Sequence, residues 1–255
     1  MEVAAGRVKR LMIFMPPRHG KSFLTSLYFP AWYLDSFPNQ RVMLASYEAT
    51  FAATWGRKVR ECIAEAAQRN LFPVRLAGGN AAVSGWGLEE FNGDRWRATS
   101  GGMYTAGVGG ALTGRGFNIG IIDDPVKNSE EAQSQVLREK AWDWYNSTFA
   151  TRAEPGAAII VILTRWHQDD LAGRILASAE EPWEVISLPA LAEEDDPLGR
   201  LPGEALWPER YGVEALDLIR RERGSHWWSA MYQQRPTARE GGYFKRAWFK
   251  IVGEK

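Results

Sequence analysis

Apolar runs alternate with stretches of helical periodicity along most of this 255-residue chain. RLMIFM (10–15) reads as a buried strand, with a helix after it from about Gly20 to Leu34. RVMLAS (41–46) reads as a second strand, followed by a long helix through about Gln68. RWRATS (95–100) alternates as a strand should, and FNIGIIDD (117–124) is an apolar strand ending in two carboxylates. Residues 129–152 read as one helix with Ser129 as its N-cap. AAIIVILT (157–164) is a further buried strand, DDLAGRILASAEE (169–181) a helix, and WEVISLPAL a closing strand. Continuous apolar strands separated by helices predict an α/β domain: a central, mainly parallel sheet with helices on both faces. Residues 73–94, rich in Gly, Asn and Ala, read as a loop or short excursion. TAGVGGALTGRG (105–116) is too glycine-rich for regular structure and reads as a loop.

After residue 190 the pattern changes. EEDDPLGRLPGEALWPERYG is loop-like, a short amphipathic helix follows, and SHWWSAMYQQRPTAREGGYF is expected to wrap back against the sheet. The expected organisation is a core over 1–190, a lid or linker subdomain over 191–236, and the start of a further linker over 237–255.

Composition changes this picture little. Hydrophobic content of 45% and charged content of 24% are ordinary for a globular protein. No apolar run approaches the length of a membrane span, and the N-terminus carries no secretion signal. Cys62 is the only cysteine, which excludes an internal disulfide or a cysteine-based metal cluster and fits a reducing, intracellular setting. Residues 1–120 carry 14 Lys/Arg and 8 Asp/Glu, while 121–255 carry 17 and 23, too mild an asymmetry to argue for nucleic-acid binding by itself.

The chemistry is more pointed. PPRHGKS (16–22) follows a strand and opens a helix, as a phosphate-binding loop does, although Met15 stands where the usual first glycine would be. In such a loop Gly20 lets the backbone approach, Lys21 reaches the terminal phosphates, and Ser22 offers its hydroxyl to Mg²⁺. Arg18 lies inside the loop, where it meets phosphate or the facing carboxylates. Asp123 ends the strand that would supply the metal-holding carboxylate, and Asp124 stands where many ATPases place a water-orienting glutamate. An isolated Asp-Asp pair also fits a solvated turn or a helix cap. Arg115, in a glycine loop, is read either as an arginine acting in a neighbouring subunit's site or as a salt-bridge or DNA-phosphate contact. Thr164 ends a strand where related ATPases sense the γ-phosphate. His167, Asp169 and Asp170 could be metal ligands, but helix capping by one of the aspartates is the preferred reading. Of the 12 tryptophans, the pairs Trp142/Trp144 and Trp227/Trp228 suit packing better than base stacking.

Together, PPRHGKS, GVGGALTGRGFNIGIIDDPVKN, ILTRWHQDDLAGRI, LPGEALWPERY and WWSAMYQQRP resemble the large subunit of tailed-phage terminases, the motor that packages DNA into proheads. The resemblance covers nearly the whole chain, and that family accepts a loop without the first glycine. It implies an ASCE-type P-loop ATPase domain, with an added strand between the two Walker strands. It implies ATP and Mg²⁺ as cofactors, with Arg18, His19, Gly20, Lys21 and Ser22 on the nucleotide and Ser22 and Asp123 on the metal. Asp124, Arg115 and Thr164 then take catalytic or coupling roles. Implied partners are double-stranded phage DNA, a portal protein, a small terminase subunit and further copies in a ring, in the cytoplasm of a bacterial or archaeal host, with no membrane. Two departures stand out: only about ten residues precede the loop strand, where the family holds the adenine, and the chain stops near where a nuclease domain would begin. The expectation is an ATPase domain alone, with no nuclease activity. A helicase-like DNA-remodelling ATPase and a non-catalytic remnant are the alternatives.

Overall fold

The computed structural model describes residues 1–78, 82, 84–112 and 114–237. The strands are β1 (Arg10–Phe14), β2 (Arg41–Ser46), β3 (Val74–Leu76), β4 (Gly85–Phe91), β5 (Trp96–Gly107), β6 (Phe117–Asp123), β7 (Ala153–Leu163) and β8 (Glu184–Ser187). They form one sheet in the order β3-β4-β5-β2-β6-β7-β1-β8. From β5 to β8 all neighbours are parallel, and only the β3–β4 and β4–β5 pairs are antiparallel. Strand β7 lies between β1 and β6, so the expected added strand is present.

The apolar runs become strands buried on both faces. On β7, Ala158, Ile160 and Ile162 enter one core with α1 (Phe29–Ser36) and α2 (Ala49–Gln68). Their alternates Ala157, Ile159, Val161 and Leu163 enter a second core on the other face. That core also holds Trp144 of α4 (Gln135–Trp144) and Leu171, Ala172 and Ile175 of α5 (Leu171–Ser178). Strand β6 follows the same alternation except at Phe117, which a register shift beside Ile119 turns to the face of Ile122.

Three expectations need correction. Residues 73–94 contain β3 and β4: Trp86 and Leu88 are buried at alternate positions, and the Trp86 indole donates to Gly56 O at 3.1 Å on α2. The glycine-rich stretch from 105 is strand through Gly107, because bare backbone is needed where the loop before α2 approaches: a Cβ on Gly107 would sit 2.7 Å from Ala49 N. Residues 129–152 are not one helix. Asn128, not Ser129, caps α3 (Ser129–Gln133), its side chain accepting from Glu131 N, and Ser134 then breaks the helix and caps α4. A π-helical turn (Tyr145–Phe149) and a short 3₁₀ turn (Ala150–Arg152) finish the segment.

After β8 the chain builds a third, small core of Ala190, Ala205, Leu216 and Trp228 around α6 (Val213–Trp227). Trp228 stacks on Tyr232, and Trp144 packs against Phe149, so these tryptophans serve packing. The expected linker beyond Thr237 lies outside the described residues.

Gly120 marks a tight point of the second core. A Cβ there would stand 2.6 Å from the Phe117 ring and 2.8 Å from the Phe149 ring, both fully buried. Gly120→Ala is expected to cost about 1–3 kcal/mol, as overpacked cores do. Urea unfolding checks this, and a change within ~0.5 kcal/mol of zero would show that the rings simply move aside.

Candidate active site at the ends of the parallel strands

Because β1, β7 and β6 run parallel and in register, their C-terminal ends deliver Met15, Thr164 and Asp123–Asp124 side by side. The chain leaving β1 turns through Arg18 (φ 64°) and Gly20 (φ 88°), both left-handed. Met15 is not in that region. It continues the pairing of β1, its N–H donating to Leu163 O at 3.3 Å, so its position makes no demand for glycine. The turn then opens into a π-helical segment (Phe23–Tyr28) that leads to α1, with the Thr25 hydroxyl donating back to Lys21 O at 2.9 Å.

Lys21 is buried, and its ammonium makes two contacts: Asp124 Oδ2 at 2.9 Å and Thr164 Oγ1 at 3.1 Å. The Thr164 hydroxyl in turn donates to Met15 O at 3.1 Å, and the Thr164 N–H donates to Asp124 Oδ1 at 3.1 Å. Asp124 holds a left-handed backbone (φ 44°), fixed by its N–H to Ile162 O and by Tyr47 N–H and the Ser46 hydroxyl on its own carbonyl. Asp123 is fully buried, accepting from Ser22 Oγ at 3.0 Å and Ser26 Oγ at 2.7 Å. Burial first, and the neighbouring Asp124 second, push its carboxyl up to about 7, against the opposing pull of Ser26, Lys21 and Ser22.

Of the two carboxylates at the strand ends, Asp124 pairs with the Lys21 ammonium and Asp123 with two serine hydroxyls. The pocket's donors are hard oxygens, two carboxylates and a serine hydroxyl, which fit Mg²⁺ better than any soft metal. Among the described residues no group of three His, Cys, Asp or Glu forms a closed metal cage. The aspartates near His167 are committed to other partners. Asp170 caps α5 through Gly173 N and pairs with Arg165 at 2.7 Å, while Asp169 is held by Arg174 and Arg138, which bring its pKa down to about 2.

A cleft of about 790 Å³ lies over the loop. Arg18 stands exposed on its rim, and Tyr47, Phe51 and Trp55 wall the side nearest Asp124. On the other side stand Trp207 and Arg210, from the segment before α6. Next to them the buried His19 ring stacks on Tyr211 at 4.8 Å, with Nδ1 2.8 Å from Pro17 O. Nδ1 is thus engaged by the loop, while the buried Nε2 has no hydrogen-bond partner.

The structure therefore gathers Gly20, Lys21, Ser22, Asp123, Asp124 and Thr164, and keeps Arg18 and His19 at the margin. Arg115 is apart. It precedes β6, whose seven residues separate it from the acids by roughly 20 Å of strand. There it lies exposed against Tyr104, guanidinium 5.9 Å from the ring, while the Tyr104 hydroxyl donates to Arg115 O at 3.0 Å. Sequence reasoning missed Ser26, which sits one turn beyond Ser22, a spacing that was readable. It also missed Trp207, Arg210 and Gln234. The last accepts from Arg165 N at 3.1 Å and so ties the C-terminal segment to the residue after Thr164.

A sheet of this order, with a phosphate-loop turn after β1 and acids at the end of β6, defines a P-loop NTPase with the additional central strand. Residues 12–251 match the family model described as terminase large subunit, T4likevirus-type, N-terminal. The chain therefore belongs to the large-subunit family of phage terminases, the motors of viral DNA packaging, and corresponds to its N-terminal region. Among solved structures, a mutant of the large terminase ATPase domain of Thermus phage P74-26 is similar at 12% identity and TM-score 0.60, covering 93% of this chain and 94% of that one. The large terminase of a second, thermophilic bacteriophage is similar at 12% identity and TM-score 0.51, over 89% of this chain and 48% of that one. The ADP complex of that second terminase gives TM-score 0.50 at 12% identity, over 89% and 50%. This chain thus spans about half the length of the second phage's protein. These likenesses show the fold. No curated protein sequence matches.

Burial lowers the His19 pKa below its ordinary value, with Arg210, Lys21 and Arg200 adding to the effect and the Pro17 carbonyl opposing it. The unfolded chain then binds more protons than the folded one just below the ordinary histidine pKa of about 6.5, so stability rises with pH across that window and is lost on acidification. Wild type is expected to lose more stability between pH 7.5 and 5.5 than His19→Gln does. Denaturant titration at both pH values measures the difference, and equal losses would show that His19 does not carry the effect.

Proposed function

We propose that this chain binds and hydrolyses Mg-ATP, and that as part of a terminase large subunit it couples hydrolysis to translocation of double-stranded DNA into a prohead. The observation that carries the reading is the Lys21–Asp124–Thr164 knot beside the buried Asp123, at the one place in the sheet where a phosphate loop and a carboxylate strand meet. Lys21, Gly20 and Arg18, with the backbone around His19, bind the phosphates. Ser22 and Asp123 would hold Mg²⁺, which supplies charge neutralisation at the transferring phosphoryl group. Lys21 turning from Asp124 to phosphate frees the Asp124 carboxylate to orient or deprotonate the attacking water. Thr164, bonded to Lys21 and to Met15 O, registers that change at the end of β7. Ser26 positions Asp123.

Arg115, remote from its own chain's acids, is assigned to a neighbouring copy's site in a homo-oligomeric ring, where its charge stabilises the transferring phosphoryl group. Residues 1–190 are the ATPase core and 191–236 a lid whose Trp207–Tyr211 segment rests on the loop. Portal protein and small terminase subunit are the proposed partners, in the cytoplasm of the infected cell. Among the described residues no helix is long and apolar enough to cross a membrane. The complete set of acids, ammonium and hydroxyls in contact distance favours this reading over a non-catalytic remnant.

Phosphate release from Mg-ATP, measured with and without duplex DNA, tests the proposal. Lys21→Ala is expected to abolish turnover; a folded wild type with no turnover, alone or assembled, would overturn it. Arg115→Ala is expected to remove turnover while leaving ATP affinity nearly unchanged. Mixing it with Lys21→Ala subunits should restore part of the activity in verified mixed rings, and no recovery there would refute action in trans. Ser26→Ala is expected to raise the Mg²⁺ concentration for half-maximal turnover about tenfold, since a hydrogen bond to a charged group contributes about 1.5–3 kcal/mol. An unchanged Mg²⁺ dependence would remove Ser26 from the site.

A further inference from the structure

The cleft has aromatic side chains at both ends, and the polarity of a bound triphosphate decides which end can meet its base. Tyr47, Phe51 and Trp55 lie on the acid side, with Tyr47 N–H donating to Asp124 O at 3.2 Å. Lys21, Thr164 and Asp124 fix the terminal phosphate on that same side, because the loop lysine reaches the β- and γ-phosphates. The inner phosphates then follow the loop backbone back towards Gly20, away from β7 and β6. The sheet order agrees with this direction: β6 and β7 flank β1 on one side, and β8, which leads into the C-terminal segment, flanks it on the other.

Trp207 waits at that second end. Its indole edge lies 3.7 Å from where a Cβ on Gly20 would be, so it rests directly on the loop, yet the residue remains 37% exposed. The Arg210 guanidinium lies 5.2 Å from the centre of the Trp207 ring and also reaches the Tyr211 ring at 5.8 Å, which holds the indole from one side. A large, flat, part-exposed ring backed by a cation and set beside a phosphate loop is a stacking surface for a planar heterocycle.

On the reading that the loop binds a nucleoside triphosphate, we propose that Trp207, braced by Arg210, is the platform on which the nucleobase stacks. The C-terminal segment, which already rests on the loop, thereby contributes the stacking face of the base site. Stacking uses the π-face that every base has, so the platform discriminates little among bases.

Calorimetric titration of the whole chain with Mg-ATP and with Mg-tripolyphosphate, which has the phosphates without the base, tests the platform. Trp207→Ala is expected to weaken ATP binding about tenfold and Trp207→Phe only slightly, with tripolyphosphate binding unchanged in both. ATP binding equal in wild type and Trp207→Ala would overturn the platform while leaving the nucleotide site standing. Equal weakening of ATP and tripolyphosphate in a variant with wild-type thermal unfolding would overturn it too, assigning Trp207 to the shape of the loop. A folded wild type that binds neither ligand would overturn the nucleotide reading itself and the platform with it.

Discussion

A carboxylate removed wholly from water sets the terms for the rest of this molecule. Asp123 ends an apolar strand of a sheet covered on both faces, and among the described residues it accepts from two serine hydroxyls, with the Lys21 ammonium nearby as an opposing charge. Burying an ion so poorly balanced is unfavourable, and the chain meets that cost by raising the proton affinity of the group. The sheet supplies the stability that lets such a group persist. The same register that brings Ile160 and Ile121 into one core brings Thr164, Asp123 and Asp124 to one edge.

Much of this was legible in the linear pattern. The strands β1, β2, β6 and β7 read directly as apolar runs, because a strand buried on both faces needs no alternation to announce it. The loop residues and the two aspartates were also readable, since each lies just beyond such a strand. The rest was hidden for identifiable reasons. Strands β3 and β4 lie among glycines such as Gly78 and Gly93, where an added Cβ would meet nothing, so composition alone reads the stretch as a loop. The break at Ser134 is invisible when capping residues sit inside a periodic run. Trp207, Arg210 and Gln234 reach the site only through tertiary packing of a segment some 190 residues from the loop, about which local sequence is silent.

Two of the contacts that fasten that segment to the core differ in chemistry. One is the His19–Tyr211 stack on the loop, the other the Gln234–Arg165 hydrogen bond at the end of β7. The first is a ring stack on the loop itself, and the second joins the backbone immediately after Thr164. A shift of either the loop or that strand end alters the seat of the same small core of Ala190, Ala205, Leu216 and Trp228.

The ion pair between Lys21 and Asp124 has a further consequence. An arriving phosphate must take the ammonium away from a partner already in contact at 2.9 Å, and a departing one leaves that partner ready to reclaim it. The protein thus contains its own tethered competitor for the ligand's place, present at constant effective concentration and needing no diffusion. On the proposed reading such a competitor would weaken binding at rest and speed the clearing of spent product, so the empty site is a defined, self-satisfied state.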